Sequence, residues 1–173
     1  HSRFAMACSK NITLQQLEKH ARLKGIDVLG TGDFLHPHWM REIRTELKED
    51  GTGILRSAGG FPFILQTEVA AIYSQGGRGR RVHLLVLAPD LGTAAQVSEV
   101  LGKRGNLESD GRPILGLSCI EIVELLRGVS KEIEVIPAHA WTPWFSVFGS
   151  SSGFDSLKEC FQAQSRHIHA IET

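Results

Sequence analysis

The sequence predicts an α/β fold in which short strands alternate with helices in a largely parallel arrangement, as one domain over residues 1–173. Three observations lead there. Apolar runs of strand length recur between helical stretches of about a dozen residues, the rhythm of βα units. The chain is 42% hydrophobic and 22% charged, ordinary for a packed domain. Glycine, at 18 of 173 residues, is above the usual share and announces many tight turns.

The elements follow in order. Leu14, Leu17, Ala21 and Leu23 form a helical stripe between Thr13, a natural N-cap, and Gly25, placed for the C-terminal cap. Ile26–Leu29 is a short buried strand that runs into Gly30-Thr31-Gly32-Asp33. A helix from about His38 to Lys48 carries Trp39, Ile43 and Leu47 on one face and ends at Gly51 and Gly53. Phe61–Tyr73 is apolar and β-rich, Gln75–Arg81 is a flexible basic turn, and Val82–Leu87 is the clearest strand, stopped by Pro89. Helices follow near Thr93–Lys103 and Ser118–Arg127, the second opened by a capping box of Ser118 and Glu121. Ile133–Ile136 is a strand, Trp141–Gly153 a loop, Ser156–Phe161 a short helix and Ile168–Ile171 a last strand ending at Glu172.

Composition excludes several classes. Nineteen basic residues balance nineteen acidic ones, so a globally basic nucleic-acid binder is out, although a local patch is not. No run of about 18 apolar residues offers a membrane span. Cys8, Cys119 and Cys160 make neither a disulfide framework nor a zinc pair, and together with the missing secretory signal they point to reduced thiols in the cytoplasm. No Gly-x-Gly-x-x-Gly or Gly-Lys-Ser/Thr loop is present, which disfavours the familiar nucleotide cofactors. The chain starts at His1 rather than Met, the mark of a fragment, a processed product or an incomplete record.

Eight histidines beside a single tyrosine ask for a chemical reason. Asp33 and His36 follow the first strand, Glu68 lies in the second, His83 in the Val82 strand, His139 just past the Ile133 strand and Glu172 at the end of the last. In a closed βα barrel such positions converge on one face. Imidazoles mixed with carboxylates suit zinc, manganese or iron better than magnesium or calcium. Each residue also has a plainer role open to it. Asp33 can cap a turn, His36 can be a loop histidine, Glu68 can pair with an arginine, and His83 can be a hydrogen-bonded core residue. His20, His167 and His169 are read as structural.

At these residues the chain resembles a known family. His1-Ser2-Arg3-Phe4 is similar to the tail of the His-x-His-Ser motif that opens the polymerase-and-histidinol-phosphatase (PHP) superfamily. Gly30 to Pro37, Thr67-Glu68-Val69, Val82 to Leu85, Pro137 to Trp144 and Ala170 to Thr173 resemble its endonuclease Q-like, or helicase-associated, branch. The resemblance implies a distorted (β/α)7 TIM-like barrel, incomplete in this chain, with a centre of two or three metal ions, zinc first and manganese or iron as alternatives. It implies His1, Asp33, His36, Glu68, His83, His139 and Glu172 as ligands or near-ligands, Glu68 bridging, and Glu68, His83 and His139 at the chemistry. The activity implied is hydrolysis of phosphoesters, foremost by an endonuclease that cuts damaged, deaminated DNA. The rivals are a histidinol-phosphatase-like enzyme for small molecules and a non-catalytic metal-binding module. Trp144, Phe145, Ser146 and Arg80 are the candidates for contacts with DNA, by stacking and to phosphate; an aromatic lid and a solvated basic turn are the alternatives. The family's first histidine, its closing Asp-x-His and a second domain are absent from the chain, so truncation at both ends is expected and activity of the piece alone is left open.

Overall fold

The structure, a computed structural model, describes residues 1–6 and 8–173. Helix α1 (Leu14–Leu23) starts as its sequence directs: the Thr13 hydroxyl accepts the Gln16 N–H at 3.2 Å, and Gly25 turns the chain away at φ +68°. After strand β1 (Leu29–Gly30), helix α2 (Pro37–Glu46) opens on a proline, whose missing N–H costs nothing in a first turn. It buries Trp39, Met40 and Ile43, and the Trp39 indole donates to the Thr31 carbonyl at 3.0 Å, fixing the helix over the end of β1.

Two short strands, β2 (Lys48–Glu49) and β3 (Leu55–Arg56), lead into the long pair β4 (Pro62–Gln75) and β5 (Arg78–Ala88). Gly76 and Gly77, both at positive φ, make the hairpin turn between them. Then come α3 (Leu91–Gly102), β6 (Ile114–Leu115), α4 (Cys119–Val129), β7 (Glu134–Pro137), α5 (Leu157–Phe161) and a 3₁₀ turn over Gln162–His167. The capping box at the start of α4 forms as expected, Ser118 and Glu121 satisfying each other's backbone. Val82, Leu84 and Val86 line one face of β5 and join Val97 and Leu101 of α3 and Ile122, Val123 and Leu126 of α4 in a continuous core. The opposite face of β5 carries Arg81 and His83.

The described residues form one mixed sheet of seven strands in the order β2-β3-β4-β5-β7, with β1 and β6 also paired to β4. The expectation of a largely parallel sheet is corrected here. The dominant pairing is the antiparallel β4–β5 ladder, in register from Leu65 opposite Ala88 to Gln75 opposite Arg78; only β1 and β6 run parallel to β4. The cause is the Gly76-Gly77 turn, too short for any crossover and so able to join only antiparallel strands. The sheet is open rather than closed into a barrel. Gln75–Arg81 is no flexible turn, since the ladder continues almost to the glycines. Nor do residues 168–171 form a strand: Ile168 and Ile171 pack against the core from an irregular segment. No described helix is long and apolar enough to cross a membrane.

Candidate metal centre

Strand register assembles the site. Ala70 of β4 stands opposite His83 of β5, so Glu68, two residues earlier, lies diagonally across from His83 on the same face. On the other edge of β5, Ala138 donates to the His83 carbonyl at 3.0 Å, which brings His139 beside them. Glu68 Oε1 lies 2.9 Å from His83 Nδ1 and 3.7 Å from His139 Nε2, and the two rings meet at 3.1 Å. A donor atom from each of these three residues lies within 4.8 Å of the other two.

His1 extends the cluster. Its Nε2 lies 3.0 Å from Glu68 Oε2 and its Nδ1 2.8 Å from Asp33 Oδ1, so one ring joins two buried carboxylates. Asp33 occupies a left-handed turn at φ 45°, a conformation aspartate tolerates better than most residues, and its second oxygen accepts the Ser2 N–H. Gly111 approaches Asp33 so closely that a Cβ at that position would collide with the carboxylate.

The charges explain one another. Hydrogen bonds to Asp33 and then to Glu68 raise the His1 imidazole to about 10, against the opposing effect of burial. Burial alone would push the Glu68 and Asp33 carboxyls up, but hydrogen bonds from His1, and from His83 for Glu68, hold both below the ordinary range. His83 is held below its usual value chiefly by burial, partly offset by Glu68. Among the described residues, the raised His1 imidazole and the Arg112 guanidinium, 3.2 Å from Glu68, meet the two buried carboxylates with positive charge. The donor set, nitrogen and carboxylate oxygen together, fits a zinc-, manganese- or iron-type cation.

Of the seven predicted ligands, five meet in this chain of contacts: His1, Asp33, Glu68, His83 and His139. His36 stands apart, buried and stacked on Phe4 at 4.2 Å, with a ring nitrogen, Nδ1, that has no hydrogen-bond partner among the described residues. Glu172 is not among the clustered donors. Its carboxylate accepts the His139 N–H at 2.7 Å and so supports the turn at φ 34° that aims His139. Thr142 Oγ1 lies 3.0 Å from His139 Nδ1, leaving Nε2 toward Glu68.

The four substrate candidates divide. Phe145 stacks on His83 at 4.6 Å, and Trp144 is exposed beside it. Ser146 is corrected: it is fully buried and its hydroxyl donates to the Thr142 carbonyl. Arg80 is corrected too. It is buried, donating to the Gly153 carbonyl and to Glu159 with its guanidinium 4.0 Å from the Phe154 ring. Its neighbour Arg81 takes the open face, 5.7 Å from the Trp144 ring and 5.9 Å from Phe145. Strand parity with His83 identifies Arg81 as the outward residue once Arg78–Arg81 is known to be strand. The sequence reading missed Thr142 and Arg112; Arg112 Nη1 lies 3.2 Å from Glu68 Oε1. The plainer role considered for Glu68, pairing with an arginine, therefore coexists with the histidine cluster.

No family model matches the chain. An uncharacterized protein of Methanocaldococcus jannaschii is 30% identical over 144 residues, which is 83% of this chain and 16% of that protein. Two solved structures are also similar. One is a lesion-specific endonuclease from Pyrococcus furiosus, 36% identical with a TM-score of 0.79. The other is endonuclease Q in complex with a 27-mer duplex substrate with an abasic lesion at the active site, 37% identical with a TM-score of 0.79. The likeness is to endonuclease Q. Each match covers 94% of this chain and 38% of the neighbour, so the chain spans well under half of the proteins it resembles.

Proposed function

We propose that this chain is the metal-holding domain of a phosphoester hydrolase of the PHP type, an endonuclease that cuts DNA beside a deaminated or missing base. The observation that carries this reading is the convergence of Glu68, His83 and His139 within 4.8 Å, extended by His1 and Asp33, on a chain 36% identical to a lesion-specific endonuclease. The open sheet then belongs to a distorted barrel that the chain only partly contains.

Zinc, or manganese or iron in its place, would be held by Glu68, His83, His139, His1 and Asp33, and when bound would neutralise phosphate charge and lower the pKa of a water. The protein's own groups prepare that place. Glu68 stands between His1 and the His83–His139 pair and would offer one oxygen toward each side as a ligand. Thr142 and Glu172 orient His139 through its ring and its backbone. Phe145 covers one face of His83 and keeps water from it. Trp144 and Arg81 form an aromatic and cationic shelf on the same side, suited to a base and its phosphate; one stacked base contributes about 1–3 kcal/mol.

The test is metal content and strand cleavage together. The chain, Glu68→Ala and His139→Ala are purified with zinc and assayed on duplexes carrying uracil, hypoxanthine or an abasic site, and on p-nitrophenyl phosphate. The expected result is bound metal and lesion-dependent cleavage that both variants lose. Unchanged metal in both variants refutes the centre, and turnover of the phosphomonoester with DNA untouched refutes the nuclease.

A further inference from the structure

Arg112 reaches the cluster from a loop with no sequence signature. The parallel register of β4 and β6 sets Ala70 opposite Ile114; continued two residues back, it sets Glu68 opposite Arg112. The loop is held firmly. The Arg112 N–H donates to Asp110 Oδ1 at 2.8 Å, the other Asp110 oxygen accepts the Met6 N–H at 3.0 Å, and the Gly111 N–H donates to the Phe4 carbonyl at 3.2 Å. The absence of room for a Cβ at Gly111 shows how tightly this backbone lies against Asp33.

The guanidinium therefore has a fixed place and spare capacity. A guanidinium carries five N–H donors. Among the described residues Arg112 spends its side-chain hydrogen bonding on Glu68 alone, through Nη1, and the side chain keeps 35% of its surface open. That contact is shared, since the same Glu68 oxygen lies 2.9 Å from His83 Nδ1. Arg80 shows the contrast: each of its three guanidinium nitrogens donates, to Gln75, Gly153 and Glu159, and it is 7% exposed. Planar, permanently charged and open on one edge beside a carboxylate–imidazole cluster, Arg112 is matched to a tetrahedral oxyanion.

We propose that Arg112 binds a non-bridging oxygen of the phosphate presented to the cluster and so positions the phosphoester for hydrolysis. The inference rests on the phosphoesterase reading above. The ligand chemistry is a phosphoryl oxygen, which a DNA diester or a small phosphate ester can equally supply.

The experiment compares the zinc-loaded chain with Arg112→Gln and Arg112→Lys. Zinc content is measured, inorganic phosphate is titrated calorimetrically, and binding of a duplex with an abasic site is followed by anisotropy across a salt series. Zinc is expected to stay bound in all three proteins. Phosphate affinity should fall at least about tenfold in Arg112→Gln and partly recover in Arg112→Lys. The slope of log affinity against log salt should shrink by about 0.9, the loss of one phosphate contact. Unchanged phosphate and DNA binding in Arg112→Gln overturns the proposal, and so does loss of zinc, which would make Arg112 a support for Glu68. Arginine-dependent phosphate binding with no DNA binding by the unaltered chain keeps Arg112 and removes the nuclease reading. If the unaltered zinc-loaded chain binds neither phosphate nor DNA, both fall.

Discussion

The β4–β5 hairpin buries charge at two places, and they are built differently. Near its tip, Arg80 is matched on the spot by the Gln75 and Gly153 carbonyls, Glu159 and the face of Phe154, so every guanidinium nitrogen has a partner. Farther along the ladder, Glu68 and Asp33 share His1 between them, while His83 and His139 crowd the same carboxylate edge. The first arrangement is complete without a ligand. The second gathers three imidazoles on two buried carboxylates, more ligand-type nitrogens and oxygens than the pairing of charge requires. Burial alone therefore does not single out a working charge; an unbalanced donor set does.

Substitutions can break that contrast. The largest effect is expected from Glu68→Gln, which keeps the shape and removes the charge. Metal affinity should fall by more than about 100-fold, read by competition with a chelating dye, while far-ultraviolet circular dichroism stays unchanged. Thr142→Val removes the oxygen that aims His139 and should lower metal affinity about 10- to 100-fold, the usual cost of losing such an orienting partner. Arg80→Met should do the reverse. Breaking a buried ion pair costs about 3–5 kcal/mol, but Glu159 is 42% exposed, so a loss of about 2 kcal/mol in urea unfolding is expected, with metal content unaltered. A metal defect in Arg80→Met would erase the distinction between the two places.

The smallest effect belongs to a site remote from both. Ser118→Ala should cost about 1 kcal/mol through loss of the α4 cap, with no change in metal. Hydrogen bonds from the Ser118 backbone and hydroxyl hold the Glu121 carboxyl below its ordinary value. A carboxyl lowered in the folded state adds stability above its unfolded pKa, near 4.5, and loses it as pH falls through the lower folded value. Stability measured from pH 6 down to pH 3 should therefore fall less steeply in Ser118→Ala than in the parent chain.

Much of this was legible in the chain itself. Helices α1 and α4 announce themselves by caps and apolar spacing, α2 by spacing alone, and Val82–Leu87 by its unbroken run. Asp33, Glu68, His83 and His139 stand out in the sequence because ligand-type residues recur within or just past apolar runs. What stayed hidden depends on pairing at a distance. Ile114–Leu115 is too short to carry a period, so neither β6 nor the placement of Arg112 beside Glu68 could be read. The alternation of strands with helices predicts a parallel sheet, whereas two glycines fold β4 and β5 into one antiparallel hairpin. Arg80 and Arg81 look alike in sequence; alternation along the extended β5 sends one inward and the other out. Ile168–Ile171 has the composition of a strand but packs on the core from an irregular segment instead.

Strand β4 bonds to β1, β3, β5 and β6 at once. Because side chains alternate along it, a slip of a single residue would turn Glu68 to the opposite face and part it from every group it now touches. An inserted or deleted residue between Pro62 and Gln75 should thus be far more damaging than one at Gly76-Gly77, where the hairpin bends and no ladder must be kept. Length in this strand is as much a functional property of the chain as the identity of its histidines.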